Sequence, residues 1–241
     1  MSNQEIVEIM DIPFNKLTEN ELLQQHLYPR INANKRTYIV TANPEIVMQT
    51  RVDAIYKKSV KSADYIIPDG AGIVKASKIL GNPIEERVTG FDLMFKLLSY
   101  AEKHNLSCYF LGAQQEANDR AVSRVRNSYP GIRIAGSHHG YFNNDEEIAK
   151  QVAAAKPDLI FVAMGFPRQE NFIAAHLHLF EKGVFMGVGG VFDILAGEVK
   201  RAPRAWIKLN LEWLYRLIKQ PFRWKRILKA FEFMFRIMIR K

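Results

Sequence analysis

Residues 41–92 read TANPEIVMQTRVDAIYKKSVKSADYIIPDGAGIVKASKILGNPIEERVTGFD, and this stretch decides the fold. Two short apolar runs, Tyr38–Val40 just before it and Tyr65–Ile67 within it, each enter a polar turn cluster. The first cluster is Thr41-Ala-Asn-Pro-Glu45 and the second is Pro68-Asp-Gly-Ala-Gly72, and a helical pattern follows each. Strand, turn and helix in repetition are the unit of a parallel α/β sheet. Ligands of open α/β sheets bind in the crevice beyond the carboxyl ends of the strands. Thr41, Asn43 and Asp69 are therefore expected on one rim, at neighbouring strand ends. Pro44 suits a first helical turn, where its missing N–H would be unpaired anyway.

Working outward, apolar strands at Ser107–Leu111, Ile132–Ala135, Leu159–Met164 and Val184–Val188 alternate with helical patterns. The prediction is a Rossmann-like, mostly parallel sheet flanked by helices. Glycines 112, 136, 140, 165, 187, 189 and 190 gather at the strand ends, where a bare backbone can approach a ligand closely. Upstream, residues 1–36 predict a strand over Ile6–Ile12, a turn at Pro13 and then a helix. Thr18 and Glu21 fit a capping box at its start, with Leu22, Leu23 and Leu27 on the buried face.

Several chemistries are excluded by what the sequence lacks. Gly187-Val-Gly189 is not followed by the third glycine of a dinucleotide fingerprint, so a nicotinamide-dependent oxidoreductase is disfavoured, and no Walker A run occurs. None of the nine aspartates has another aspartate two positions on, so an Asp-x-Asp metal clamp is missing. His176 and His178 would point to different faces of a helix, and the adjacent His138 and His139 suit a loop. A site without metal or other cofactor is expected. The lone Cys108 lies in an apolar run and reads as a buried core residue. With 48 % hydrophobic residues in 241, the chain can bury a sizeable core. No signal-peptide pattern or bilayer-length apolar run is seen, and a cytoplasmic protein is expected.

Charge is unevenly spread. The net charge is +9, yet residues 197–241 hold 13 of the 34 Lys and Arg and only 3 of the 25 Asp and Glu. That leaves a body of charge −1 with a tail of +10, and Trp206, Trp213 and Trp224 all lie in the tail. Such asymmetry points to an anionic partner. Arg216, Lys219, Arg223 and Arg226 have helical spacing, but Pro221 should split the helix in two. Trp213, Leu214, Leu217, Ile218, Phe222, Trp224, Ile227, Leu228, Phe231, Met234, Phe235 and Met238 supply the apolar faces. Packing on the domain and a nucleic-acid patch are the alternatives. The apolar content favours a membrane surface over nucleic acid. The organisation expected is an α/β catalytic domain over 1–196 and a helical membrane-binding appendage over 197–241.

Eight blocks in order, TANPEIV, SADYIIPDGAGIV, ERVTGFDL, FLGA, HHGYF, VAMGFPRQE, GVGGVFDILAGEVKRAP and LNLEWLYRL, resemble the WecG/TagA/CpsF family of bacterial glycosyltransferases, most closely its TagA-like branch. The resemblance covers roughly residues 35–230. It implies an inverting, metal-independent enzyme working peripherally on the inner face of the plasma membrane. Its donor would be a UDP-sugar and its acceptor a polyprenyl-diphosphate-linked sugar. For the TagA-like branch this means transfer of N-acetylmannosamine from UDP to the 4-hydroxyl of GlcNAc-diphospho-undecaprenol, a β-1,4 linkage that starts the wall teichoic acid linkage unit. Other family donors are N-acetylmannosaminuronic acid and glucose. The reading from a different class is a non-catalytic nucleotide-binding module held at a membrane.

By the same resemblance, Asp69 matches the general base, with a cap on the helix after Gly70 as the alternative. Thr41 and Asn43 match pocket positions for the sugar or departing phosphate. Arg87 corresponds to a basic residue near the diphosphate, unless it merely pairs with Glu85 or Glu86. Gln169 matches a pocket amide and Asp193 a nucleotide contact. Arg216, Arg223 and Arg226 match tail arginines that close over the site, in cis or from a neighbour in a homo-oligomer.

Overall fold

A computed structural model describes residues 6–209, 211–221 and 224–239. The chain opens with an antiparallel hairpin of β1 (Ile6–Ile9) and β2 (Ile12–Asn15). This corrects the single strand over Ile6–Ile12 with its turn at Pro13. The turn falls at Met10 and Asp11, whose φ values are 50° and 64°, and Pro13 sits within β2 opposite Glu8. Two positive φ values give a turn that matches strand twist, but the apolar sequence runs unbroken through Met10 and hides it. The capping box does form: Thr18 Oγ1 accepts from the Glu21 N–H at 3.2 Å, and Glu21 Oε2 from the Thr18 N–H at 2.9 Å. It starts α1 (Glu19–Glu21), which widens into a π-helical turn at Leu22–Leu27 and continues as α2 (Tyr28–Asn32). Leu22, Leu23 and Leu27 are buried.

Strands and helices then alternate: β3 (Arg36–Ala42), α3 (Pro44–Thr50), α4 (Ala54–Lys61), β4 (Tyr65–Pro68), α5 (Ala71–Ile79), α6 (Gly90–Lys103), β5 (Ser107–Gly112) and α7 (Gln115–Ser128). They continue as β6 (Arg133–His138), α8 (Asp145–Ala154), β7 (Leu159–Ala163), α9 (Arg168–His176), β8 (Gly183–Gly187) and α10 (Val191–Leu195). The tail forms α11 (Arg204–Lys208), α12 (Glu212–Lys219) and α13 (Trp224–Ile239). Among the described residues, β3 to β8 make one sheet in the order β4-β3-β8-β7-β5-β6, with every neighbouring pair parallel. His138 ends β6 rather than lying in the loop expected for it.

Both faces of the sheet are covered, so β5, β7 and β8 are buried along their whole lengths. Side chains alternate between two cores. Tyr38, Val40, Ile160 and Val162 enter one; Ile39, Phe161 and Phe110 enter the other. Cys108 is buried in the second, and burial pushes its thiol pKa up.

Around Pro221 the tail helix does break, with α12 stopping at Lys219 and α13 starting at Trp224. Helix α13 packs on α3 and α5 and buries Phe233 and Ile237 in the first core. Neither residue stood out in the sequence. Among the described residues no helix is long and apolar enough to cross a membrane.

Candidate active site

The carboxyl edge of the sheet gathers most of the residues singled out above. Thr41 pairs with Ile67, and Ala42 with Pro68. The Asp69 N–H continues this ladder by donating to Ala42 O at 2.9 Å. Thr41, Asn43 and Asp69 thus sit side by side, each half-buried. Helix α5 is entered through Gly70 (φ 103°). Asp69 Oδ2 accepts from the Gly90 N–H, at the start of α6, at 3.4 Å. Gly90 in turn lies against Thr41: a Cβ there would come within 2.8 Å of Thr41 Oγ1. Gly90 is a residue of the rim that the sequence reading did not identify.

Asn43 is divided between two tasks. Its Oδ1 accepts from the Glu45 and Ile46 N–H groups at 2.9 and 3.0 Å, capping α3. Only the amide nitrogen is left to meet a ligand.

Next to β3 in the sheet comes β8, and then β7. Gln169, on the first turn of α9, spans the ends of these two strands. Its Oε1 accepts from the Gly165 and Gly189 N–H groups, each at 3.1 Å, and its Nε2 donates to Glu170 Oε1 at 2.7 Å. The residue is buried and lies over Gly187, where a Cβ would sit 2.4 Å from its Nε2. Gln169 therefore braces two glycine turns. Asp193 follows β8 on α10, half-buried, beside Gly190.

The segment before α6 is tied to the same edge by the Val88 N–H, which donates to Pro68 O at 3.1 Å. Arg87 precedes that tie. Among the described residues it forms no ion pair with Glu85 or Glu86. It lines a groove of about 840 Å³ along α6, together with Tyr28, Thr89, Asp92, Lys96 and Tyr100. Neither Asp69 nor Gln169 lines this groove. Asp92 accepts from Thr89 at 2.6 Å and pairs with Arg201 at 2.8 Å. Burial pushes the Asp92 carboxyl up, but Arg201 and Thr89 outweigh it and hold the group below the usual carboxylate range. Arg201 also stacks on Phe91, 3.9 Å from the ring centre, pinning the start of the tail to α6.

Of the three tail arginines, Arg226 approaches the rim from its own chain. It lies 3.4 Å from Glu45, in the first turn of α3, and 5.8 Å from the centre of the Phe166 ring. Arg223 lies outside the described residues, as does the side chain of Arg216. Among the described residues no group of three or more His, Cys, Asp or Glu could hold a metal ion.

The model of the glycosyl transferase WecG/TagA/CpsF family matches residues 7–241. The chain belongs to that family. Within it, the chain is similar to proteins named N-acetylglucosaminyldiphosphoundecaprenol N-acetyl-beta-D-mannosaminyltransferase. The one from Bacillus spizizenii is 43 % identical over 198 residues, covering 82 % of this chain and 77 % of that protein. Its Bacillus subtilis counterpart is 40 % identical over 228 residues, 95 % of this chain and 88 % of that protein. One from Staphylococcus aureus is 40 % identical over 230 residues, covering 94 % and 88 %. This WecG/TagA/CpsF family member is therefore a glycosyltransferase with a Rossmann-like sheet, and its family match extends through the basic tail.

Proposed function

We propose that the chain transfers N-acetylmannosamine from UDP-N-acetylmannosamine to the 4-hydroxyl of GlcNAc-diphospho-undecaprenol, with inversion and without a metal. The β-1,4 product would open wall teichoic acid linkage-unit synthesis at the inner face of the plasma membrane. One observation carries the reading: a carboxylate and a hydroxyl, Asp69 and Thr41, meet at adjoining strand ends. That rim runs on to Asn43 and, across β8, to Gln169 and Asp193. The names of the relatives supply the sugar and the acceptor.

In this mechanism Asp69 takes the proton from the acceptor hydroxyl. The freed oxygen attacks the anomeric carbon as the bond to UDP breaks, so a single displacement inverts that centre. A well-placed general base contributes roughly 10²- to 10⁴-fold in rate. The bond from Gly90 N–H to Asp69 Oδ2 aims the carboxylate. Thr41 and the amide nitrogen of Asn43 hold the sugar or the departing phosphate, and Asp193 meets the nucleotide. Arg87, Arg216, Arg223 and Arg226 neutralise the diphosphate as charge develops on it, a task suited to guanidinium groups. Arg226 would be aimed by Glu45.

Residues 197–241 form the membrane-binding appendage in this reading. Trp224, Leu228, Phe231, Phe235 and Met238 are exposed along one stripe of α13, and basic residues beside aromatic ones suit the headgroup layer.

The deciding assay is UDP release from UDP-N-acetylmannosamine with a GlcNAc-diphospholipid acceptor, in wild type and Asp69→Asn. Turnover that falls at least about 100-fold in the variant supports donor and base together. Equal turnover in both removes Asp69 from its role. Wild-type activity only with another UDP-sugar moves the donor assignment, and silence with every donor favours a binding module.

A further inference from the structure

Behind the strand ends runs a buried polar chain that the transfer mechanism above does not use. Glu170, 2 % exposed, accepts from Gln169 Nε2 at Oε1 (2.7 Å) and from the Tyr56 hydroxyl at Oε2 (3.2 Å). Its backbone carbonyl accepts from the Tyr38 hydroxyl at 3.4 Å. Among the described residues no basic side chain pairs with it. Glutamate is almost never fully buried without such a partner, and an apolar side chain of similar size would cost less here. Burial pushes its carboxyl pKa up, against the hydrogen bonds from Gln169 and Tyr56. A group retained at that cost calls for a reason.

We propose that Glu170 is a positioning residue, which holds the NH₂ end of the Gln169 side chain and so, through its oxygen, sets the Gly165 and Gly189 turns at the floor of the donor site. A side-chain amide can turn over, exchanging its oxygen and its NH₂. In the observed orientation Gln169 Oε1 faces two backbone donors and Nε2 faces an acceptor. Turned over, the NH₂ would face the two N–H groups and the oxygen would face the Glu170 carboxylate, so all three contacts would be mispaired. The two glycine N–H groups select this orientation at one end of the amide, and the Glu170 carboxylate, which can only accept, holds the NH₂ at the other. Tyr56, from α4, holds the other carboxylate oxygen and keeps Glu170 from rotating away. Gly187 leaves the room in which the Gln169 amide lies.

The two turns need this restraint. Gly165 (φ 72°) and Gly189 (φ 52°) have open space where a Cβ would be, so no side-chain packing fixes them. The proposal rests on the reading of this edge as the UDP-sugar site, and its test separates the two.

The experiment is a polarity swap. Gln169→Glu sets two carboxylates against each other, Glu170→Leu leaves the Gln169 NH₂ without its acceptor, and the Gln169→Glu/Glu170→Gln double variant reverses the one bond between them. In the double variant the new amide at 170 donates to the new carboxylate at 169, which still accepts from both glycines. Hydrogen exchange at the Gly165 and Gly189 amides, read by NMR in the full chain, should quicken about tenfold or more in each single variant. Amides within β7 should not change, and the double variant should restore protection. Tyr56→Phe, the mildest change, should move the same two amides in the same direction by less.

In the UDP-release assay, Glu170→Leu should raise the KM for the UDP-sugar and leave that for the lipid acceptor alone. Unchanged exchange at both glycines in a folded Glu170→Leu variant would overturn the proposal, as would a double variant no better protected than Gln169→Glu. A wild type silent with every UDP-sugar would sink the transferase reading, while the exchange data would still decide the role of Glu170.

Discussion

Asn43 shows how one side chain can serve fold and site at once. Its oxygen caps α3 with bonds to two backbone N–H groups, and its nitrogen is the half that can reach a ligand. Asn43→Asp keeps the cap and removes the donor, whereas Asn43→Ala removes both. Thermal unfolding should therefore show Asn43→Ala destabilised by about 1 kcal/mol and Asn43→Asp nearly unchanged. Both should lose UDP-release activity, and an active Asn43→Asp enzyme would show that the nitrogen touches nothing in the reaction. The position was legible because Asn before Pro is turn chemistry wherever it falls. The division between oxygen and nitrogen was not, since it depends on which way the amide points in the folded chain. Glu170 was less legible still. It follows Gln169 in sequence, but the tyrosines that hold it, Tyr56 and Tyr38, are 114 and 132 residues away.

At the scale of an element, α13 carries two apolar stripes with different fates. Phe233 and Ile237 are buried against the domain, while Trp224, Leu228, Phe231, Phe235 and Met238 face outward. Periodicity alone could not sort them, because both stripes repeat every three or four residues. The inner stripe packs on the domain, one of the readings the sequence leaves open, and the outer stripe is exposed. Phenylalanines two positions apart should then behave in opposite ways. Phe233→Ala should cost roughly 3–5 kcal/mol and lower the melting temperature. Phe231→Glu combined with Phe235→Glu should leave the melting temperature within a few degrees of wild type and abolish cosedimentation with anionic vesicles. Vesicle binding that survives the double change would place the membrane contact elsewhere.

Across the whole molecule, the chemistry is ordered by strand adjacency and the charge by the tail. The sheet order brings the ends of β4, β3, β8 and β7 together. Asp69, Thr41, Gln169 and Asp193, spread over more than half the chain, thereby come to one edge. A neutral body with a +10 tail should meet an anionic bilayer partly through screened attraction. Binding to phosphatidylglycerol vesicles should weaken as salt rises toward 1 M, where the Debye length falls to about 3 Å, and should be weaker on neutral vesicles at low salt. Salt-independent binding, equal on both kinds of vesicle, would mean that apolar insertion alone holds the protein there.

By itself the sequence determined the class of fold, the strands of the parallel sheet and which residues lie at their ends. Those properties follow from local rules: hydrophobic period, turn chemistry, and glycine where the backbone must bend. It also determined that the tail is basic and apolar, since that is composition. Tertiary structure alone decided that Asp69 reaches Gly90 at the start of α6, that Gln169 ties two glycine turns together, and that Arg226 lies beside Glu45. Apart from the bond between Gly165 and Gln169, these contacts join groups far apart in sequence. Such contacts are fixed by which elements pack side by side, and no window of neighbouring residues carries that information.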